Sequence, residues 1–238
     1  MTRAIHMRSW SGIKKQDALV FDAELYEELQ KLVAQGEGQY LEFKRKVSAD
    51  GDKIVREMIA FANASGGTLL VGVGDDKTIP GVKYPEDESL AIQQALVKVL
   101  PALDVDETWI AVGNNRTVLQ YVVRVSEDRP HYIEDDQGIR EYFIRSDDKS
   151  IRASREMREI IKRRRRQKDI RFHYGEHEHF LMQYLATNKT ITLSEFVGLS
   201  GLKKFYASNK LILLVLANVL RIIPNERGDQ FALAFTKN

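Results

Sequence analysis

Two apolar faces at helical spacing stand out in the first third of the chain. The first follows Asp22, whose carboxylate suits an N-cap, and consists of Leu25, Leu29, Leu32 and Val33. The second predicts a helix over about residues 51–64 and consists of Ile54, Val55, Met58, Ile59 and Ala62. Gly66 and Gly67 follow and should end this helix, because glycine readily takes up the left-handed backbone of a helix stop.

Strand patterns follow the second helix. Residues 68–73 are nearly all apolar, as expected for a strand in the interior of a sheet. A helix is predicted over about residues 86–100, with Pro101 as its stop, and the segments 109–112 and 117–125 then alternate around Asn114-Asn115 as a hairpin does. A further strand is expected at residues 141–145. Helices that follow strands predict a mixed α/β sheet.

Residues 174–238 have a different pattern. A helix is predicted over about 176–186, a short helix begins at Ser194, and a long helix covers about 203–220. Residues 221–223 and 231–235 can pair across the polar loop 224–230. Three helices and a terminal hairpin predict a winged helix, a relative of the helix-turn-helix. Such modules bind nucleic acid, but they also serve in dimerisation or protein docking.

If this module reads DNA, the long helix should divide into two faces. The polar face that would enter the major groove contains Lys203, Lys204, Ser208 and Asn209. The apolar face that would pack inside contains Leu211, Leu214, Val215 and Val219.

Composition sets wide limits on function. The 238 residues, 43% hydrophobic and 29% charged, suit a soluble globular protein of one large or two small domains. The absence of cysteine excludes disulfides and thiolate metal sites and fits a cytoplasmic location. The chain lacks the apolar stretch of a secretory signal and any window near the roughly 18 apolar residues of a membrane span, so no membrane partner is expected.

A dense basic run divides the chain. Its cations are Lys162, Arg163, Arg164, Arg165, Arg166 and Lys168. They close a helix predicted to start near Ser150, and such runs often contact nucleic acid. The alternative is a solvated helix end that serves as a linker. The predicted divisions are a leader and helix at 1–35, an α/β domain at 36–168 and the winged helix at 174–238.

Four separated motifs occur in an informative order. They are Leu41-Glu42-Phe43-Lys44, Ala60-Phe61-Ala62-Asn63-Ala64 with Gly66-Gly67, Gly72-Val73 with Asp75, and Tyr142-Phe143-Ile144-Arg145. Over roughly residues 36–155 this pattern resembles the AlbA-like domain of the Schlafen family. The resemblance implies an α/β (α+β) fold with an AlbA-like mixed sheet. It also implies the layout of bacterial DNA-binding transcriptional regulators, in which a winged helix follows the domain.

Some animal members of that family cleave RNA with three carboxylates and a divalent metal. The resemblance implies that the corresponding acids of this chain are Glu37, Glu42 and Asp75, with Asp76 as a near substitute for Asp75. Three carboxylates can hold Mg²⁺ or Mn²⁺, and Lys44 or Lys46 would steady a phosphate. The structural alternative is that Glu42 pairs with Lys44 or an arginine, and that Asp75-Asp76 is ordinary turn chemistry.

The sequence therefore predicts a nucleic-acid-binding protein, specifically a DNA-binding transcriptional regulator. Its candidate contacts are Lys44, Lys46, Arg145, the cations from Lys162 to Arg166, Lys203 and Lys204. A metal-dependent endoribonuclease and a protein-interaction scaffold are the alternatives. DNA is preferred to RNA as the partner, a homodimer is left open, and no cofactor is expected unless Mg²⁺ or Mn²⁺ serves the nuclease.

Overall fold

The computed structural model describes residues 20–47, 51–165 and 172–235. The helices are α1 Ala23–Gln35, α2 Asp52–Asn63, α3 Pro85–Leu96, α4 Arg155–Arg164, α5 Glu176–Thr187, α6 Leu193–Ser200 and α7 Lys204–Leu216. The strands are β1 Leu41–Lys44, β2 Gly67–Val71, β3 Val99–Leu100, β4 Val105–Gly113, β5 Arg116–Val123, β6 Tyr132–Glu134, β7 Arg140–Glu141, β8 Phe143–Ser146, β9 Lys149–Arg152, β10 Ile191–Thr192, β11 Leu220–Ile223 and β12 Gln230–Leu233. The mixed α/β fold is thereby confirmed.

The main sheet has the strand order β1-β2-β5-β4, with β1 parallel to β2 and the other pairs antiparallel. Leu69 and Val71 of β2 pack towards α2 and α3, whereas Leu70 packs towards α1 with Leu29 and Val33. Successive side chains of a strand point to opposite faces. Because helices cover both faces, the consecutive residues Leu69, Leu70 and Val71 are all buried, which explains why apolar residues do not alternate with polar ones here.

The predicted hairpin is confirmed. Asn114 and Asn115 join β4 to β5 with φ angles of 51° and 53°. Two consecutive left-handed residues match the right-handed twist of the strands, and asparagine tolerates that backbone better than most residues. The first strand is longer than the pattern predicted, because β4 begins at Val105.

Two predicted helix boundaries are wrong. The helix predicted to reach residue 100 ends at Leu96, because Val99 leaves it to become buried and to pair with Ile133 of β6. The basic helix begins at Arg155 rather than near Ser150, because Ser150 belongs to β9 and pairs with Arg145 of β8. The strand predicted at residues 141–145 is divided between β7 and β8.

Residues 176–233 contain α5, β10, α6, α7, β11 and β12, in that order, and the sheet order is β10-β12-β11. Thr192, rather than Ser194, starts α6: its side chain accepts from the Glu195 amide, and the Glu195 carboxylate accepts from the Thr192 amide. This reciprocal pair is a capping box. The predicted pairing of the two terminal strands is confirmed. The predicted long helix is shorter, because α7 ends at Leu216 and Leu220 already belongs to β11.

Helix α4 takes part in two apolar clusters. Ile160 packs in the core of the C-terminal helices with Leu211. Met157 packs with Ile144 of β8, and Ile222 of β11 packs against the same cluster. The side chains of α4 therefore connect the α/β domain to the C-terminal residues. In the described segments, no helix is long and apolar enough to cross a membrane.

Candidate nucleic-acid interface

Arg145 of β8 lies at the centre of a buried polar network. Its side chain is buried, and its Nη2 lies 2.7 Å from Glu42 Oε2 while its Nη1 lies 2.9 Å from Glu57 Oε2. Nη2 also donates to the carbonyl of Gly38 at 2.8 Å. The guanidinium lies 4.9 Å from the centre of the Phe61 ring. These contacts join β8, β1 and α2, so Arg145 holds the domain together and is not exposed to a phosphate.

Both carboxylate oxygens of Glu42 are paired with cations. The predicted alternation in β1 places Leu41 and Phe43 in the apolar cluster against α1, whereas Glu42 lies on the side of α2. Oε2 accepts from Arg145, and Oε1 pairs with Lys44 Nζ. The structure thus has Glu42 paired with both Lys44 and an arginine. Lys44 is not free to hold a phosphate, and of the two predicted phosphate lysines only Lys46 is exposed.

Sequence reasoning missed Glu57, the second acid beside Arg145. Burial raises the pKa of Glu57, and the charge of Glu42 raises it further, while its hydrogen bond with Ser150 and the nearby Lys44 and Arg145 lower it. No local signal marked Glu57, because its partner Arg145 lies 88 residues further along the chain.

The structure does not assemble the predicted metal site. Glu37 Oε1 accepts from the Phe43 amide at 2.8 Å, and Asp75 is exposed. Within residues 20–47, 51–165 and 172–235, no group of three or more histidine, cysteine, aspartate or glutamate side chains is placed to hold a metal. Because both oxygens of Glu42 already face cations, these residues do not fit a divalent ion. Asp76 stabilises a turn. Its carboxylate accepts hydrogen bonds from the hydroxyl and the amide of Thr78, and these bonds lower its pKa.

Asn63, at the end of α2, has a structural role. Its amide nitrogen donates to the carbonyls of His131 and Phe143, each at 2.9 Å, and its oxygen accepts from the His131 amide at 2.7 Å. A single buried side chain thereby connects α2 to β8 and to the loop before β6. Burial lowers the pKa of His131, so its imidazole is neutral near pH 7.

The cations at the end of α4 differ in their surroundings. Arg163 pairs with Glu159 at 3.4 Å, and Arg165 pairs with Asp128 at 2.8 Å. Partial burial lowers the pKa of Arg164, and the positive charge of Arg129 lowers it further. Lys162 is exposed, and the predicted contact Arg166 lies outside the described residues.

The outward side of α4 carries a row of cations. Arg155, Arg158, Lys162 and Arg165 are spaced three or four residues apart, so they follow one side of the helix, and we call them the basic ridge. The buried residues Met157 and Ile160 lie on the other side of α4, and the buried Ile161 lies at the edge of the ridge. In the described part of the chain, Arg155 and Arg158 form no ion pair with a carboxylate. Their charges are therefore available to an anionic partner.

The C-terminal helices extend this surface. Lys203 and Lys204 are exposed at the start of α7, beside Phe205, whose ring lies 5.4 Å from the Arg155 guanidinium. The expectation that Ser208 joins the groove-entering face is wrong. Ser208 is buried and donates to Glu156 Oε1 at 2.6 Å, because this side of α7 packs against α4. The predicted inner residues Leu211, Leu214 and Val215 are buried.

The family comparison agrees with this architecture. Residues 37–154 match the family model described as Schlafen, AlbA_2, which is about half of the chain. The chain therefore carries a Schlafen AlbA_2 domain, and the predicted resemblance is confirmed. The matched segment ends at Ser154, the N-cap of α4. A comparison with curated protein sequences gave no match.

Two solved structures are similar to parts of the chain. The DIP2311 protein from Corynebacterium diphtheriae is 17% identical with a TM-score of 0.43, and the alignment covers 89% of this chain and 38% of that one. The N-terminal domain of an ATP-dependent DNA helicase RecG-related protein from Nitrosomonas europaea is 21% identical with a TM-score of 0.37, covering 63% and 97%. The chain thus spans 38% of the length of the DIP2311 chain.

Proposed function

We propose that the protein binds nucleic acid through the basic ridge of α4 together with Lys203 and Lys204 at the start of α7. The observation that carries the proposal is the pair Arg155 and Arg158 of α4. Arg155 is exposed, Arg158 is half-buried, and neither has a carboxylate partner in the described segments. Cations in a row can contact several phosphates of one strand, and such contacts bind without reading sequence. The AlbA_2 domain immediately before α4 supports the same function.

We further infer that residues 174–238 form a winged helix and that the protein is a DNA-binding transcriptional regulator. The order of helices and strands from α5 to β12, with β12 between β10 and β11, supports this assignment. On this proposal α7 reads the major groove with Lys203, Lys204 and Asn209, without the buried Ser208. DNA is the proposed partner, because the deep, narrow major groove of an RNA duplex does not admit a helix.

The proposed regulator needs no metal or other cofactor for binding. Its proposed setting is the cytoplasm. A homodimer, which the sequence leaves open, would suit a two-fold symmetric site. Mg²⁺ or Mn²⁺ would be required only by the nuclease alternative, and nothing in the arrangement of Glu37, Glu42 and Asp75 favours that alternative.

The test compares two variants with the same loss of charge. In the first, Arg158, Lys162 and Arg165 are changed to Gln. In the control, the exposed Lys31, Lys83 and Lys189, which lie on other elements, are changed to Gln. Binding of a labelled 20-base-pair duplex is measured by fluorescence anisotropy between 50 and 200 mM salt, conditions chosen because phosphate contacts weaken over roughly this range.

The ridge variant should bind unrelated duplexes about equally weakly. Its slope of log affinity against log salt should be flatter than the wild-type slope by roughly two to three units, one for each lost phosphate contact. The control should keep the wild-type slope. Equal effects of the two variants would mean that net charge alone governs binding. Wild-type protein that binds no nucleic acid at low salt would contradict the proposal and favour the scaffold alternative.

A further inference from the structure

Two adjacent aromatic rings project from the start of α7. Phe205 and Tyr206 are 57% and 59% exposed, and their ring centres lie 5.7 Å apart in an edge-to-face arrangement. Large aromatic side chains at the surface of a folded domain generally mark a contact site when they occur together. We call these two rings the aromatic patch.

Cations surround the aromatic patch. The guanidinium of Arg155 lies 5.4 Å from the centre of the Phe205 ring, and Lys203 and Lys204 precede the two rings in sequence. Arg155 also reaches Ser208 at 3.5 Å, which fixes its position between α4 and α7. The patch is therefore apolar at its centre and positive at its margin.

The same alternation continues along the basic ridge, towards the α/β domain. Arg158, one turn after Arg155, lies 5.0 Å from the centre of the Tyr142 ring, and Tyr142 lies 5.0 Å from Tyr132. Arg140 lies 4.8 Å from the centre of the Tyr132 ring. Two sets of alternating cations and rings, one in the α/β domain and one at the aromatic patch, thus meet at neighbouring turns of α4.

The bases of duplex DNA cannot stack on these rings, because their faces are already stacked on one another and only base edges reach the grooves. Unpaired bases do offer their faces, and they stack on exposed aromatic rings while lysine and arginine follow the phosphates. We propose that the aromatic patch binds single-stranded nucleic acid by stacking on unpaired bases, with Arg155, Lys203 and Lys204 on the phosphates. This inference rests on the proposed nucleic-acid binding and adds single-stranded nucleic acid as a second ligand beside the duplex.

A second copy of the chain fits the patch less well. A two-fold symmetric contact centred on the patch would bring Arg155, Lys203 and Lys204 of one copy against the same cations of the other. Like charges across an interface weaken association. A polyanion with exposed aromatic bases instead complements both the charge and the rings.

The test replaces the rings without removing apolar surface. Phe205→Leu combined with Tyr206→Leu keeps the patch apolar, and Tyr40→Leu combined with Tyr84→Leu is the matched control, since those rings are 60% and 58% exposed on other elements. A conservative variant, Phe205→Tyr combined with Tyr206→Phe, keeps both rings. Each full-length protein is titrated with a labelled 12-nucleotide single strand and a labelled 20-base-pair duplex, and its sedimentation is measured by analytical ultracentrifugation.

The leucine variant should lose on the order of 10-fold or more in affinity for the single strand, because each stacked base contributes measurably to binding. Its duplex affinity should stay within about twofold of wild type, since phosphate contacts carry that binding. The control and the conservative variant should bind the single strand like wild type. These results, with unchanged sedimentation, would support the inference.

Three outcomes would overturn it. Unchanged single-strand affinity in the leucine variant, with duplex binding intact, would refute base stacking and leave the proposed function standing. A change from dimer to monomer in that variant would make the patch a contact between copies. Wild-type protein that binds neither probe would refute both this inference and the proposed function.

Discussion

Arg145 has acceptors at the ends of its guanidinium and an aromatic ring beneath its plane. Glu42 and Glu57 provide the carboxylates, the Gly38 carbonyl provides a third acceptor, and Phe61 lies under the plane. A buried charge is tolerated when it is paired and fully hydrogen-bonded. The acid that aligns with a nuclease carboxylate, Glu42, therefore has a structural role in this chain.

This role predicts different effects on stability for two substitutions of a carboxylate by a carboxamide. Glu42→Gln should lower the free energy of unfolding by about 2 kcal/mol, because hydrogen bonds to charged groups are the costly ones to lose. The midpoint of thermal unfolding should fall by about 4 to 8 °C in a chain of this size. Asp75→Asn should leave it nearly unchanged, since Asp75 is exposed and makes no hydrogen bond or ion pair with the described residues.

Differential scanning calorimetry measures both variants, and an assay for cleavage of structured RNA with Mg²⁺ or Mn²⁺ accompanies it. A metal-bound pair of acids would behave differently: both variants would lose metal-dependent cleavage, and neither would need to lose stability. Cleavage by the wild-type protein that disappears in both variants would contradict the structural role.

At the scale of elements, local patterns predicted the helices and strands well where their signals lie close together in sequence. The Asn114-Asn115 hairpin and the apolar faces of α1 and α2 follow from spacings within one segment. The predictions fail where the conformation or role of a residue depends on a partner that is distant in sequence. Ser150 and Ile151 pair with β8 instead of starting α4, and the partner of Glu42, Arg145, lies 103 residues away. The network beside Glu57 depends on such distant pairing and could not be predicted from one sequence.

The true start of α4 yields a prediction of its own. Ser154 Oγ accepts from the Met157 amide at 3.0 Å, and its hydroxyl donates to Asp229 in the loop between β11 and β12. Ser154→Ala should cost about 1 to 2 kcal/mol for the lost cap, with an added cost because Asp229 loses a donor. Burial raises the pKa of Asp229, in keeping with a carboxylate that needs its donors.

Thr192→Ala is the matched control, because Thr192 caps α6 with a bond of 3.2 Å from the Glu195 amide and its hydroxyl donates to the Glu195 carboxylate at 2.9 Å. That carboxylate is exposed and belongs to the same helix, whereas Asp229 lies on another segment of the chain. Urea unfolding followed by circular dichroism compares the two proteins. Ser154→Ala should be the more destabilising of the two. An equal or smaller loss would show that the contact with the distant Asp229 stabilises no more than the local contact of Thr192 with Glu195.

At the scale of the whole molecule, the α/β domain and the C-terminal residues share apolar and polar contacts. Ile160 of α4 packs in the C-terminal core, and Ile222 of β11 packs against the cluster that contains Ile144. Ser146 Oγ donates to the Pro224 carbonyl at 3.0 Å. The basic ridge and the start of α7 are therefore parts of one surface whose halves come from different segments of the chain.

Shared contacts of this kind predict that the two parts unfold together, although the sequence divides them at the basic run. Leu69→Ala in the main sheet and Leu211→Ala in the C-terminal core remove matched, fully buried side chains. Each should cost about 2 to 5 kcal/mol, and each should lower the midpoint of the same single calorimetric transition. Two separate transitions, with each variant moving only one of them, would mean that the parts are independent. If the two parts unfold together, each variant should also lose duplex binding at the temperature at which it unfolds. Unfolding of either part would disrupt the packing of α4 against α7, and these helices carry the basic ridge and the lysines Lys203 and Lys204.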